Sequence, residues 1–293
     1  MWIRWFLLPC LLACRQLVSA EQSIYLALGD QPNRSVKLIR NTATELVMDI
    51  NGNDEVIEKN RQRGISLPLR LSTYRSKVFT TITGKAGNDG AFSFARTFVD
   101  SSSYSEDKNG NRIKLPDSAG ELVGLEVNGV FDAKGEMRLT SMNGKELSAD
   151  KEQLIRTLYS SAASAFSPQS IGPLKIGDGF TQRTPFAVPV VGKQPIQVYS
   201  NITYTLKKIV GKIAYFDITT TFSMVKPDPD VQLDAASSGN GTMEYNIDTK
   251  LEEKLTLEFY IDMKLHAGKA TMSSRAKSSS TTQQLVIVDR AQF

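Results

Sequence analysis

A mainly β fold is what the 293-residue sequence predicts: an antiparallel sheet of about eleven strands, curved into an open sheet or half-barrel, with one central helix. Three observations carry that expectation. Apolar and polar residues alternate strictly over several long stretches, turn-forming residues separate those stretches, and a single segment switches to helical spacing. Alternation with period two puts apolar side chains on one face only, the pattern of antiparallel sheet with one wetted side. Parallel strands buried on both faces would read instead as continuous apolar runs.

The chain opens Met1-Trp2-Ile3-Arg4, continues through the apolar stretch Trp5–Cys14, and turns polar at Arg15-Gln16. That charged-then-apolar order is the order of a secretion signal. The apolar stretch is about half the ~20 residues that a spanning helix needs. Two processing readings stand side by side. Val18-Ser19-Ala20 supplies small residues ahead of a cut, which removes 1–20 and leaves 21–293 as a single β-rich domain, periplasmic or extracellular. Leu11-Leu12-Ala13-Cys14 resembles a bacterial lipobox, which makes Cys14 the lipidated first residue of a membrane-anchored lipoprotein. Lipidation of Cys14 is then the chain's only expected tie to a membrane.

Both cysteines, Cys10 and Cys14, lie in this leader, so the mature domain is expected to use no disulfide and no thiol chemistry. About 270 residues bury a core large enough to do without them. Removing Arg4 and Arg15 from the 35 basic residues leaves 33 against 31 acidic ones. That near-neutral balance gives no electrostatic reason to expect a nucleic-acid partner.

The clearest strand is 254–265, where Leu255, Leu257, Phe259, Ile261, Met263 and Leu265 alternate with polar residues. The segments 196–206, with Ile196, Val198, Ile202, Tyr204 and Leu206 on one face, and 212–224, with Ala214, Phe216, Ile218, Phe222 and Met224, read the same way. Further strands are expected at 23–28, 35–40, 43–50, 67–83, 91–99, 122–131, 136–141, 242–249 and 270–288. Turn chemistry falls between them at 51–54, 87–90, 109–111 and 132–135, where Asn, Asp and Gly accept positive φ or cap their own backbone. The segment 149–166 carries Leu154, Ile155, Leu158, Tyr159 and Ala162 at helical spacing, with Ser148 or Asp150 as N-cap. This helix either packs on the sheet or links two strand-rich halves; length allows both.

At 122–136 the chain reads Leu122-Val123-Gly124-Leu125, then Val127, then Asp132-Ala133-Lys134-Gly135-Glu136. After the helix comes Gly172-Pro173-Leu174-Lys175-Ile176-Gly177-Asp178-Gly179-Phe180. This order resembles an uncharacterised family of bacterial exported proteins and lipoproteins, in which an Asp-x-x-Gly hairpin precedes a Pro-x-x-hydrophobic-Gly-Asp-x-Trp segment. Phe180 stands where the family carries Trp. The resemblance implies export and a β-rich fold, and no activity. A more distant likeness, at the level of fold only, is to the half-barrels of periplasmic lipoprotein carriers.

Motif chemistry is sparse. The single histidine, His266, has no Ser or Asp partner at motif spacing, and there is neither a G-x-S-x-G elbow nor an H-E-x-x-H pair. Asp217, Glu258 and Asp262 fall on the polar faces of their strands, where solvation explains them more simply than acid-base catalysis. Asp107-Lys108-Asn109-Gly110-Asn111 begins like a calcium loop, but Arg112 occupies the glycine position and Ser118 that of the bidentate Glu. No cofactor, metal or catalytic residue is expected. Phe92, Phe94, Phe98, Phe216, Phe222 and Phe259 are the candidates for lining an apolar pocket, with core packing as the competing role. The expected function is thus an exported envelope protein that takes an apolar small molecule, a lipid or another envelope protein in its sheet concavity. An interaction scaffold without a cavity is the alternative, followed by a carboxylate hydrolase. An outer-membrane barrel is a further reading, prompted by Leu285, Ile287, Ala291 and the terminal Phe293, although Asp289 falls on the same face.

Overall fold

The structure, a computed structural model, describes residues 23–51, 58, 62, 68–106, 111–115, 120–166, 169–188, 196–224, 231–233, 237–267 and 270–288. Residues 1–22 with Cys14, most of the 51–54 and 109–111 turns, Asp107, Asp289, Ala291 and Phe293 lie outside them.

The strands are β1 (Ile24–Leu28), β2 (Ser35–Asn51), β3 (Leu69–Thr83), β4 (Phe92–Glu106), β5 (Arg112–Lys114), β6 (Glu126–Phe131) and β7 (Met137–Asn143). After helix α1 (Ala149–Phe166) come β8 (Gln169–Leu174), β9 (Gly179–Val188), β10 (Ile196–Val210), β11 (Ile213–Met224), β12 (Val231–Leu233), β13 (Ser238–Asn246), β14 (Leu251–Ala267) and β15 (Ala270–Val288). The fold is mainly β, as expected, and its main sheet is antiparallel with 13 strands. Eleven of these form one path, β7-β6-β4-β3-β2-β15-β14-β13-β11-β10-β9, with β5 and β12 as side branches. The last strand, β15, pairs with β2 along 17 registered positions from Ser35 to Asn51, which joins strands from both sides of α1 into one sheet. The sheet is not closed into a barrel; its path ends at β7 and β9.

Three expectations are corrected. Strands 35–40 and 43–50 are one strand, because β-branched Thr42 and Thr44 continue the ladder to β15 and β3 without a turn. The strand expected from 122 starts at Glu126, since Gly120–Leu122 form a 3-10 turn and Gly124 takes φ 86°. Two strands at 169–188, β8 and β9, are not among those expected from alternation. Only β1 pairs with β8, and β9 is an edge strand, where Pro185 costs no central ladder bond.

The sequence motifs at 132–136 and 172–180 build two turns. In the first, Asp132 Oδ1 accepts from the backbone N–H of Lys134 (2.8 Å) and of Glu136 (2.9 Å), with Gly135 at φ 77°. In the second, Asp178 Oδ2 accepts from Lys175 N–H (2.8 Å), and backbone bonds Gly177–Leu206 and Leu206–Asp178 clamp the turn to β10. Phe180 stacks on Tyr204 at 4.7 Å.

The three core clusters among the described residues lie on one face of the sheet. The β1–β8 ribbon lays Ile24, Leu26 and Leu174 over Leu206, Phe216, Ile218, Met243 and Tyr245. Helix α1 lays Ile155 and Tyr159, one turn apart, on Leu125 and Val127. Phe92, Phe94 and Phe131 form the third, with ring centroids 5.1 Å apart for each of the pairs Phe92–Phe131 and Phe94–Phe131. Gly129 makes this possible: a Cβ there would meet Phe94 at 2.5 Å. A twisted sheet of this many strands curls, and bulges in the β3–β4, β10–β11 and β13–β14 pairs bend it further. The face that carries ribbon and helix is called the inner face, and the opposite one the outer face.

Candidate functional site

Residues directly paired across antiparallel strands share a face, so the register maps the inner surface. One row runs Ser101–Lys77–Arg40–Thr282 across β4, β3, β2 and β15, then Leu255–Met243–Phe216–Leu206 across β14, β13, β11 and β10. The next runs Ser103–Arg75–Thr42–Ser280, then Leu257, Gly241, Ile218 and Tyr204. The third runs Ser105–Thr73–Thr44–Ser278, then Phe259, Gly239 and Thr220. Inner positions are therefore polar over three rows of β4, β3, β2 and β15, and become largely apolar at β14. Beyond this island the same strands return to Leu71 and Leu46 on one side and to Phe98, Phe79 and Leu38 on the other.

Hydroxyls floor the island. Arg40 Nε donates to Thr282 Oγ1 at 3.3 Å, Thr42 Oγ1 to Ser280 Oγ at 3.4 Å, and Thr44 and Ser278 hydroxyls lie 3.0 Å apart. Ser103, Ser105, Ser278 and Thr282 are buried, whereas Arg40 and Arg75 reach solvent. Protein nonetheless surrounds Arg40 closely enough that burial pulls its guanidinium below the usual value, and Arg96 pulls the same way against Glu252. The guanidinium is thus open to solvent on one side and packed by protein on the other. Glu252, from β14, is the acid that faces Arg40; burial pushes its carboxyl up to about 7, with Arg40 opposing.

A clasp closes one border. Arg96 of β4 donates through Nε to Thr81 Oγ1 (2.9 Å) and through Nη2 to Asp30 Oδ2 (2.6 Å), which follows β1. The same guanidinium hydrogen-bonds the Tyr159 hydroxyl of α1. One buried arginine thereby ties ribbon, sheet and helix together. Burial raises the Asp30 carboxyl against the pull of Arg96, and raises the Tyr159 hydroxyl likewise. Tyr204, beneath the ribbon, is raised by burial and by the charge of Glu252.

The six phenylalanines proposed from the sequence fall on this inner face in separate places. Phe92 and Phe94 are packed under Phe131, Phe98 meets Phe79 edge-on at 5.1 Å beside α1, and Phe216 is buried beneath the ribbon. Phe222 and Phe259 form a ring pair at 6.1 Å and are half-buried. These rings come from strands on either side of β13 and meet near Gly239, where a Cβ would lie 2.9 Å from that of Phe259. The structure thus does not gather the six into one wall. Asp217 pairs with Lys207 at 3.3 Å, and Asp262 with Arg275 at 2.9 Å, both on the outer face. The side chain of His266 lies outside the described residues. Among the described residues no group of His, Cys, Asp and Glu is placed to hold a metal, and no helix is long and apolar enough to cross a membrane.

A shallow depression of ≈ 250 Å³ lies against the outer-face rings of Tyr74 and Tyr104, stacked at 4.8 Å, and Thr42 and Arg75 also contribute to its lining. Arg40, Arg75, Lys77, Arg96, Glu252 and Asp30 are residues that sequence reading did not single out, Arg96 falling between the apolar positions Phe94 and Phe98. No family model matches the chain, and no curated protein matches it.

Proposed function

We propose that this chain is an exported envelope protein without catalysis that holds an apolar ligand in the concavity of its sheet. One observation carries the reading. The apolar inner surface does not end with the three packed clusters but continues into half-buried Leu46, Phe222, Phe259, Ile261 and Met263. An apolar face is covered in a folded protein unless something binds there.

The test is solvent extraction of the purified protein followed by mass spectrometry. The reading expects one apolar species recovered reproducibly at near-equimolar amount. An empty protein that also takes up no apolar fluorophore would overturn it. A second reading, docking of an envelope protein, is favoured by Leu285, Val286 and Ile287, which are 52%, 43% and 48% exposed at the end of β15. Crosslinking in cells that recovers a partner on those residues, with an empty concavity, would support it.

A further inference from the structure

We infer that the ligand is an amphiphile with an anionic headgroup, seated on Arg40 and Arg75 of the hydroxyl-lined island, with its chain running over the apolar inner positions of β14. This rests on the proposal that the concavity holds an apolar ligand, and adds what the ligand's polar end must be.

Charge placement is the first ground. Arg40 and Lys77 are direct cross-strand partners, and Arg75 is the next inner residue on the strand of Lys77. Like charges directly opposite one another destabilise a sheet pair, yet the twelve inner positions of these three rows hold three cations and no acid. Around them, Arg96 is matched by Asp30, and Glu252 faces Arg40. Among the described residues, Arg40 and Arg75 against Glu252 leave one positive charge in excess, Lys77 having an interaction partner of its own.

Donor chemistry is the second ground. Guanidinium groups bind phosphate or carboxylate oxygens in forked geometry, and Thr42, Ser280 and Thr282 place hydroxyls beside them that can donate as well. Because Arg40 and Arg75 reach solvent, an incoming anion meets them without displacing a packed element.

The polarity boundary is the third. Each island row continues directly into Leu255, Leu257 or Phe259. A polar head and an apolar tail joined covalently match this sequence of surfaces; a free anion uses only the first half and a pure hydrocarbon only the second.

The experiment titrates the full mature chain with palmitoyl lysophosphatidylglycerol, with monopalmitoylglycerol of the same tail, and with inorganic phosphate, each competing against a bound apolar fluorophore. The anionic lipid is expected to compete at least ~10-fold more tightly than the neutral one, the scale of one charge-assisted bond, and to weaken with salt. R40Q and R75Q should each remove most of that preference while leaving the neutral lipid unchanged. R75Q is the safer variant, since Arg75 is exposed and its cross-strand neighbours are Thr42 and Ser103. Equal competition by both lipids, with no effect of either variant, overturns the headgroup assignment while the apolar-ligand reading stands. Competition by phosphate alone as strong as by the anionic lipid, judged by displacement or by thermal shift, overturns the amphiphile. Failure of both lipids and of the fluorophore overturns the underlying reading itself.

Discussion

Replacing Glu252 by Gln tests the electrostatics of the concavity. The carboxyl titrates at about 7 in the folded chain against an ordinary 4.5, with burial the larger cause and Arg40 opposing it. The folded state therefore keeps a proton that the unfolded chain releases, and stability falls as pH rises from about 4.5 to about 7. At 1.36 kcal/mol per pH unit that rise amounts to about 3 kcal/mol, and solvent contact at the half-buried side chain reduces it to about 1–2 kcal/mol. The neutral amide removes this term. Urea denaturation at pH 5 and pH 8 should show E252Q close to wild type at the lower pH and more stable by about 1–2 kcal/mol at the higher. Identical pH dependence in the two proteins would refute the argument and place Glu252 in open water.

Three further perturbations follow from the packing. D30A leaves Arg96 buried without its carboxylate and should cost about 2–4 kcal/mol by urea denaturation, whereas E152A, which breaks the exposed Arg156–Glu152 pair on α1, should cost under about 0.5 kcal/mol; equal costs would remove the clasp from the account. F216A empties a fully buried site beneath the β1–β8 ribbon and should cost about 3–5 kcal/mol in the same assay. G129A, which sets a methyl against the Phe94 ring and the carbonyl of Arg138, should lower the melting temperature despite the better strand propensity of alanine; an unchanged value would mean that β4 and β6 can shift apart.

The outline of the sheet was readable because alternation holds wherever a face is covered. In β14 it marks the inner residues from Leu255 to Met263, and in β11 those from Ala214 to Met224 except Thr220; the ribbon and the neighbouring strands supply the apolar partner that the pattern demands. The island was not readable for the converse reason. On β2 the inner positions run Val36, Leu38, Arg40, Thr42, Thr44, Leu46 and Met48, so the apolar period fails in the middle. A pattern search divides that strand into two. On β15 the inner Ser278, Ser280 and Thr282 cannot be told from the outer Ser279 and Thr281 by residue type, and only the pairing to β14 and β2 separates them. The clasp joins residues 30, 96 and 159 across three elements, a convergence that no local spacing encodes. The break in alternation was nonetheless a signal: polar residues at consecutive inner positions of four adjacent strands mark a surface that is not core.

The claim at the centre of this account is that the inner face, and not the outer, carries the ligand. A palmitoyl lysophosphatidylglycerol bearing a photoactivatable group near the end of its chain can be crosslinked to the protein and the labelled residues mapped by tandem mass spectrometry. The account predicts adducts on inner residues of β14 and β11, with Phe259, Ile261 and Phe222 foremost, and their loss when unlabelled lipid is added in excess. Adducts concentrated around Tyr74 and Tyr104 on the outer face, or labelling that excess lipid does not reduce, would contradict it.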